Sequence, residues 1–68
     1  MKRDEKLHKV MKKYPDGISF PMLAQKMNMS VRDLFLWLND NPKTRRHVKN
    51  NGYGQFRSRK SPLFIYEE

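Results

Sequence analysis

The hydrophobic residues near the start of the chain have the spacing of an amphipathic helix. One apolar stripe is formed by four residues at i, i+3, i+4 and i+7: Leu7, Val10, Met11 and Tyr14. Lysines and arginines occupy the other faces, so a single face would be buried against a core. This pattern predicts a first helix over about residues 3–13, which ends at the turn-forming cluster Pro-Asp-Gly of residues 15–17.

A second helix is predicted over about residues 20–27. Ser19 is a suitable N-cap for it, and Pro21 is tolerated in the first turn because its missing N–H would have no partner within the helix. Asn28 suits the left-handed position that closes a helix. The three residues before Pro21 (18–20) are few, but they could pair as a short edge strand.

A third helix is predicted over about residues 31–40, with Ser30 as its N-cap. Its expected buried stripe contains four residues: Val31, Leu34, Phe35 and Leu38. Leu36 and Trp37 lie off this stripe. They could complete the core, or they could form an exposed interface for another protein or a second copy of the chain.

The pattern changes after Pro42 to short, β-favouring segments at residues 46–50 and 63–66. These segments predict an antiparallel hairpin over about residues 45–66. Turn-forming residues occur at both NNGYG (50–54) and RSRKSP (57–62), so the sequence leaves the position of the hairpin tip open.

Size and composition limit the chain to one small domain. Its 68 residues contain no cysteine, which excludes a disulfide framework and a thiolate metal site. The hydrophobic fraction of 37% and the mean hydropathy of −0.98 are low. The apolar residues are nevertheless ordered in helical patterns, so a single domain over residues 1–68 with a small core is expected. No segment has the features of a signal peptide or a membrane span, which predicts a cytoplasmic protein with no membrane partner.

The charge is concentrated in one segment, residues 43–60, which we call the basic run. It contains seven basic and no acidic residues and so contributes +7 to a net charge of +8. Its basic residues are Lys43, Arg45, Arg46, Lys49, Arg57, Arg59 and Lys60. Tyr53, Gln55 and Phe56 are interspersed among them and could add stacking or hydrogen bonding. Basic side chains neutralise phosphates, so the run predicts a nucleic-acid-binding segment.

The order of the predicted elements resembles that of the winged helix-turn-helix family of small bacterial and phage transcriptional regulators. The segment FPMLAQKMNMSVRDLFLWL (20–38) is similar to the family's helix-turn-helix pattern, with a Leu-Ala pair in the second helix, Asn28 closing it and Ser30 capping the third. The run LFIY (63–66) resembles the returning strand of the wing. The resemblance implies an α+β fold of three helices and a small antiparallel β-hairpin wing.

The resemblance also implies a function. The third helix would enter the major groove of double-stranded DNA and the wing would lie on the phosphate backbone. The expected DNA contacts are Ser30, Arg32, Lys43, Arg45, Arg46, Lys49, Tyr53, Gln55, Arg57, Arg59 and Lys60. RNA remains a weaker possibility, because the motifs of the common RNA-binding modules are absent.

The third helix also supports a different hypothesis. Asp33 and Asp40 would repel phosphate, whereas Leu36 and Trp37 are large and apolar. A protein-interaction adaptor or inhibitor with these two residues as anchors is therefore the alternative function.

Catalysis is not expected from this sequence. It contains no paired carboxylates, metal-ligand spacing or phosphate-binding glycine loop. His8 and His47 are predicted to be solvated surface residues. We therefore expect no enzyme activity, no cofactor, no metal and no small-molecule substrate.

Overall fold

The computed structural model describes residues 2–56 and 58–68, with only the backbone of Phe56. Seven elements follow along the chain: α1 (Arg3–Lys12), β1 (Ile18–Ser19), α2 (Phe20–Lys26), α3 (Val31–Asp40), α4 (Pro42–Arg45), β2 (Val48–Phe56) and β3 (Arg59–Tyr66). The three strands form one antiparallel sheet. The predicted α+β class is therefore confirmed.

Side-chain caps begin the two central helices. The hydroxyl of Ser19 accepts a hydrogen bond from the Met22 N–H at 3.4 Å, and that of Ser30 accepts one from the Asp33 N–H at 3.0 Å. Each cap satisfies an N–H that has no partner within its helix. Asn28, at φ 61°, adopts the left-handed conformation between the helices. The connection from α2 to α3 is consequently only a few residues long.

The strand order is β1-β3-β2, so β3 lies in the middle of the sheet. Ile18 pairs with Phe64 on one side, and Val48 pairs with Tyr66 on the other. The register between β2 and β3 shifts between Asn50 and Tyr53, which marks a β-bulge.

The hairpin formed by β2 and β3 turns after Phe56, which pairs with Arg59. Of the two turn signals in the sequence, the later one therefore marks the tip. The earlier one forms the bulge, where Gly52 has a positive φ of 77°. Arg57 lies outside the described residues.

The core lies between the helices and the sheet. Nine buried apolar residues form it: Leu7, Met11, Ile18, Leu23, Ala24, Met27, Leu34, Leu38 and Val48. Every helix of seven or more residues contributes at least two of them. None of the helices in the described ranges has both the length and the hydrophobicity of a membrane span.

Two expectations about residues 31–50 need correction. Residues 42–45 form the short helix α4 and β2 begins only at Val48, so the hairpin does not start near residue 45 and residues 46–47 are not in a strand. Pro42 at the first position favours this extra turn of helix. In α3, Leu34 and Leu38 are buried, but Val31 is 45% exposed and Phe35 is 57% exposed.

The two histidines are partly exposed, and both pack against Tyr66 at the end of β3. The His8 ring stacks on the Tyr66 ring at a centroid distance of 4.2 Å, and the His47 ring stacks on it at 5.0 Å. His8 Nε2 also lies 3.0 Å from a carboxylate oxygen of Glu68. These contacts attach α1 and the segment before β2 to the end of β3.

Candidate nucleic-acid interface

The exposed side of α3 has two chemically different faces. Arg32 and Asn39 are seven positions apart and therefore share a face. Asn39 borders the hairpin, because together with Pro62 and Phe64 of β3 it lines a cleft between α3 and the hairpin. Arg32 accordingly lies on the hairpin side of α3.

The carboxylates of α3 lie on its other face. Asp33 precedes Trp37 by four positions and Asp40 follows it by three, so both carboxylates are neighbours of Trp37 on the helix surface. Trp37 faces α1, with the guanidinium of Arg3 5.9 Å from its ring centroid. Asp33 and Asp40 are thus turned away from the hairpin, toward the side of α3 that contains Trp37.

The hairpin also has two faces. Residues alternate between faces along a strand, and directly paired residues of antiparallel strands share a face. Pro62 and Phe64 of β3 line the cleft with α3. The face that they share also contains Lys60, together with the Lys60 partner Gln55 and the Pro62 partner Tyr53. We call this the groove face.

The opposite face of the hairpin contains Lys49 and Arg59. Lys49 pairs with Ile65, and Arg59 alternates along β3 with Ser61, Leu63 and Ile65. The basic residues that are neighbours in sequence are therefore divided between two sides of the hairpin. Among the described basic residues of the hairpin, Lys60 alone accompanies Gln55 and Tyr53 on the side facing α3.

The basic residues before the hairpin are divided as well. Arg45 lines the cleft between α3 and the hairpin, and its Nη1 donates a hydrogen bond to the Val48 carbonyl oxygen at 3.0 Å. Lys43 instead borders a different concavity with Asp4, Glu5 and the stacked Tyr66. Arg46 is exposed where α4 ends.

The electrostatics of this region are dominated by unneutralised positive charge. Within residues 2–56 and 58–68, ion pairs join only Glu68 to His8 and Lys12. The basic side chains of α4 and of the described hairpin residues thus form no ion pair with a carboxylate. They are available to bind an external anion.

Between α3 and the hairpin lies a largely apolar cleft with a volume of about 250 Å³. We call it the apolar cleft. Its lining comprises Phe20, Phe35, Leu38, Asn39, Arg45, Val48, Pro62 and Phe64. The rings of Phe20 and Phe64 meet edge to face at 5.7 Å in its wall. Among the described residues, Arg45 is the only charged one that lines this cleft.

Phe35 and Asn39 of α3 both line the cleft with the hairpin, although the sequence predicted neither as a site residue. Phe35 was expected in the buried stripe. Their spacing of four residues, which places both on one side of a helix, was the available signal.

The proposed protein anchors behave differently from each other. Leu36 is 48% exposed, whereas Trp37 is half-buried and packs against the core. Trp37 therefore belongs with the core and Leu36 does not, so each of the two sequence interpretations fits only one of the two residues. An interface in which both residues act as exposed anchors is not compatible with this packing.

The remaining candidate positions are at the ends of the site. Tyr53 is 70% exposed, so it does not pack within the hairpin. Ser30 caps α3 with its hydroxyl, which leaves that oxygen already hydrogen-bonded to the Asp33 N–H. Arg57 and the side chain of Phe56 fall outside the residues that the structure describes.

No group of three or more His, Cys, Asp or Glu side chains in the described ranges could hold a metal ion.

No protein-family model, curated protein or solved structure matches this chain. The function of the surface between α3 and the hairpin must therefore be inferred from its own chemistry.

Proposed function

We propose that this protein binds double-stranded DNA as a winged helix-turn-helix module, probing a groove with α3 and contacting phosphates with the hairpin. The order of helices and strands and the sheet order β1-β3-β2 support this arrangement. A role as a small transcriptional regulator follows from the same resemblance.

The observation that carries the proposal is the division of charge on the two elements. Arg32 and Asn39 occupy the side of α3 that borders the hairpin, and Lys60 and Gln55 lie on the groove face of the hairpin opposite. The carboxylates of α3 are on its other side. A duplex between α3 and the hairpin would meet cations and amides and would avoid the carboxylates.

Some of these groups would contribute affinity for any duplex, and others would recognise particular bases. Lys60 and Arg32 can neutralise phosphates, and this contribution depends strongly on salt. Asn39 and Gln55 can form paired hydrogen bonds with adenine edges in the major groove. Tyr53, with its exposed ring, can contact sugar or base at the edge of the site.

A pair of lysine substitutions tests the proposal. Lys60→Gln removes a charge from the groove face, and Lys49→Gln removes one from the opposite face of the same hairpin. Affinity for a labelled random-sequence duplex would be measured by fluorescence anisotropy at several salt concentrations. We expect Lys60→Gln to weaken binding and to reduce the salt slope by about one.

Lys49→Gln serves as the control and should bind like the parent protein. The proposal is wrong if the parent protein binds no duplex at low salt. It is also wrong in its geometry if both substitutions weaken binding equally, because that result would indicate non-specific attraction to the net charge.

A further inference from the structure

The apolar cleft is not explained by DNA binding. Phe35 is 57% exposed at its edge, while Leu38 and Val48 are buried at its base. A phosphate backbone gains nothing from aromatic walls, and covering them with a polar ligand would leave that ligand without hydrogen-bond partners. An exposed apolar concavity of this kind is typical of a surface that receives an apolar side chain.

The charges around the cleft favour an acidic partner. Arg45 is part of its lining, and Lys60 and Arg32 belong to the two elements that form its sides. No acidic residue of the described chain lines the cleft. An apolar side chain flanked by carboxylates would therefore be complementary to both the walls and the rim.

A second copy of this chain fits less well than a separate partner. Each copy has a net charge of +8, so two copies repel each other. A second copy would offer adjacent acidic residues only at positions 4–5 and 67–68. Of these, Glu68 already pairs with Lys12 at 3.0 Å. We propose that the apolar cleft binds a segment of another protein that inserts one aromatic or aliphatic side chain between flanking acidic residues.

Binding of an acidic segment in the cleft goes beyond DNA binding, whereas its effect on DNA binding rests on the function proposed above. The cleft lies between α3 and the hairpin, where we propose that the duplex contacts the protein. A bound acidic segment would therefore compete with DNA, and the partner would act as an antagonist of DNA binding.

The probe is a capped peptide of about twelve residues, composed of Glu and Ala with one central Phe. Two matched peptides replace the Phe with Ser or every Glu with Lys. Binding would be followed by ¹H–¹⁵N NMR titration of the full chain. We expect the Phe peptide to shift the amides of residues 35–39, 45, 48 and 64, and to bind at least about tenfold more tightly than the Ser peptide, the effect of burying one apolar side chain. The Lys peptide should not bind.

Substitutions in the protein complete the test. Phe35→Ser alters the cleft, and Leu36→Ser alters a similarly exposed residue of α3 that does not line it. Thermal unfolding by circular dichroism would establish that both variants fold. We expect at least about a fivefold loss of peptide affinity in Phe35→Ser and none in Leu36→Ser, consistent with the removal of one apolar contact.

Three results would overturn the inference. Equal binding of the Phe and Ser peptides would show that charge alone attracts them. Shifts mapped outside the cleft would indicate another site. A loss of duplex affinity in Phe35→Ser, with peptide affinity unchanged, would assign the cleft to DNA instead.

Discussion

Gly17 is the residue at which backbone conformation and packing are both most restrictive. It has a φ of 113°, and a Cβ at this position would lie 2.8 Å from the Cβ of Leu63 on β3. Gly17→Ala would therefore combine backbone strain with a collision against a strand. We expect it to lower the free energy of unfolding by about 3 kcal/mol or more, measured by urea denaturation.

Gly52 provides the matched control for this prediction. Its φ is 77°, but a Cβ there would meet no atom within 4 Å. Gly52→Ala should therefore cost only the strain of the left-handed conformation, about 1 kcal/mol. Equal destabilisation by the two substitutions would contradict a role for the contact between Gly17 and Leu63.

At the residue scale, the sequence predicted the features that depend on local bonding. Ser19 and Ser30 cap their helices because each hydroxyl reaches an N–H only three residues away. The burial of Phe35 was predicted wrongly. Its place on the apolar stripe shows which side of α3 it lies on, but not whether another element packs against that side. The hairpin leaves a cleft there, so Phe35 stays exposed.

At the scale of elements, α1 is held to the end of β3 by a charged contact. The pKa of Glu68 lies below its ordinary value. The main cause is the Lys12 ammonium, through its hydrogen bond and its charge, and the hydrogen bond from His8 adds to this effect. Because the folded state binds this proton less tightly than the unfolded state, the contribution of Glu68 to stability is present above the ordinary carboxyl pKa. It is lost as the pH falls through the lower pKa of the folded state.

Replacing the lysine tests this contact. Lys12→Gln should raise the pKa of Glu68 toward its ordinary value, as followed by ¹³C NMR of the side-chain carboxyl during an acid titration. Lys9→Gln removes an exposed lysine of the same helix that forms no ion pair in the described structure, and it should leave the pKa unchanged. An unaltered pKa in Lys12→Gln would show that the contact does not persist in solution.

The elements themselves were predicted with different success for physical reasons. The long helices have apolar repeats over several turns, which local spacing makes visible. α4 has four residues and no buried side chain, so it produces no repeat, and only Pro42 and the preceding Asn41 indicate it. The hairpin tip could not be chosen from sequence because the Asn and Gly residues of segment 50–54 suit a bulge as well as a turn, and segment 57–62 also has turn-forming residues.

For the whole molecule, the dominant electrostatic property is self-repulsion. The net charge is +8, and the described residues form ion pairs only around Glu68. Added salt should therefore screen more repulsion than attraction. We expect the free energy of unfolding, measured in urea, to rise by on the order of 1 kcal/mol between low and moderate NaCl concentrations. A decrease with NaCl would mean that favourable charge contacts predominate.

The candidate site shows what sequence can predict at this scale. The sequence shows the basic run and predicts that it binds nucleic acid, because composition is evident without a fold. It could not show that Lys43 borders α1, that Lys49 and Lys60 lie on opposite faces, or that the carboxylates of α3 turn away from the hairpin. Those properties depend on strand register and on which elements pack together.

The pairing of β1 with β3 has a consequence for how the chain acquires its structure. Ile18 and Ser19 have no strand partner until residues 63–64 are present. Closing so long a loop is slow compared with forming a helix, because chain entropy is lost before the stabilising contacts between the strands form. The helices can form before residues 59–66 are available, but the sheet requires β3. Pairing of β1 with β3 is therefore expected to be a late step of folding.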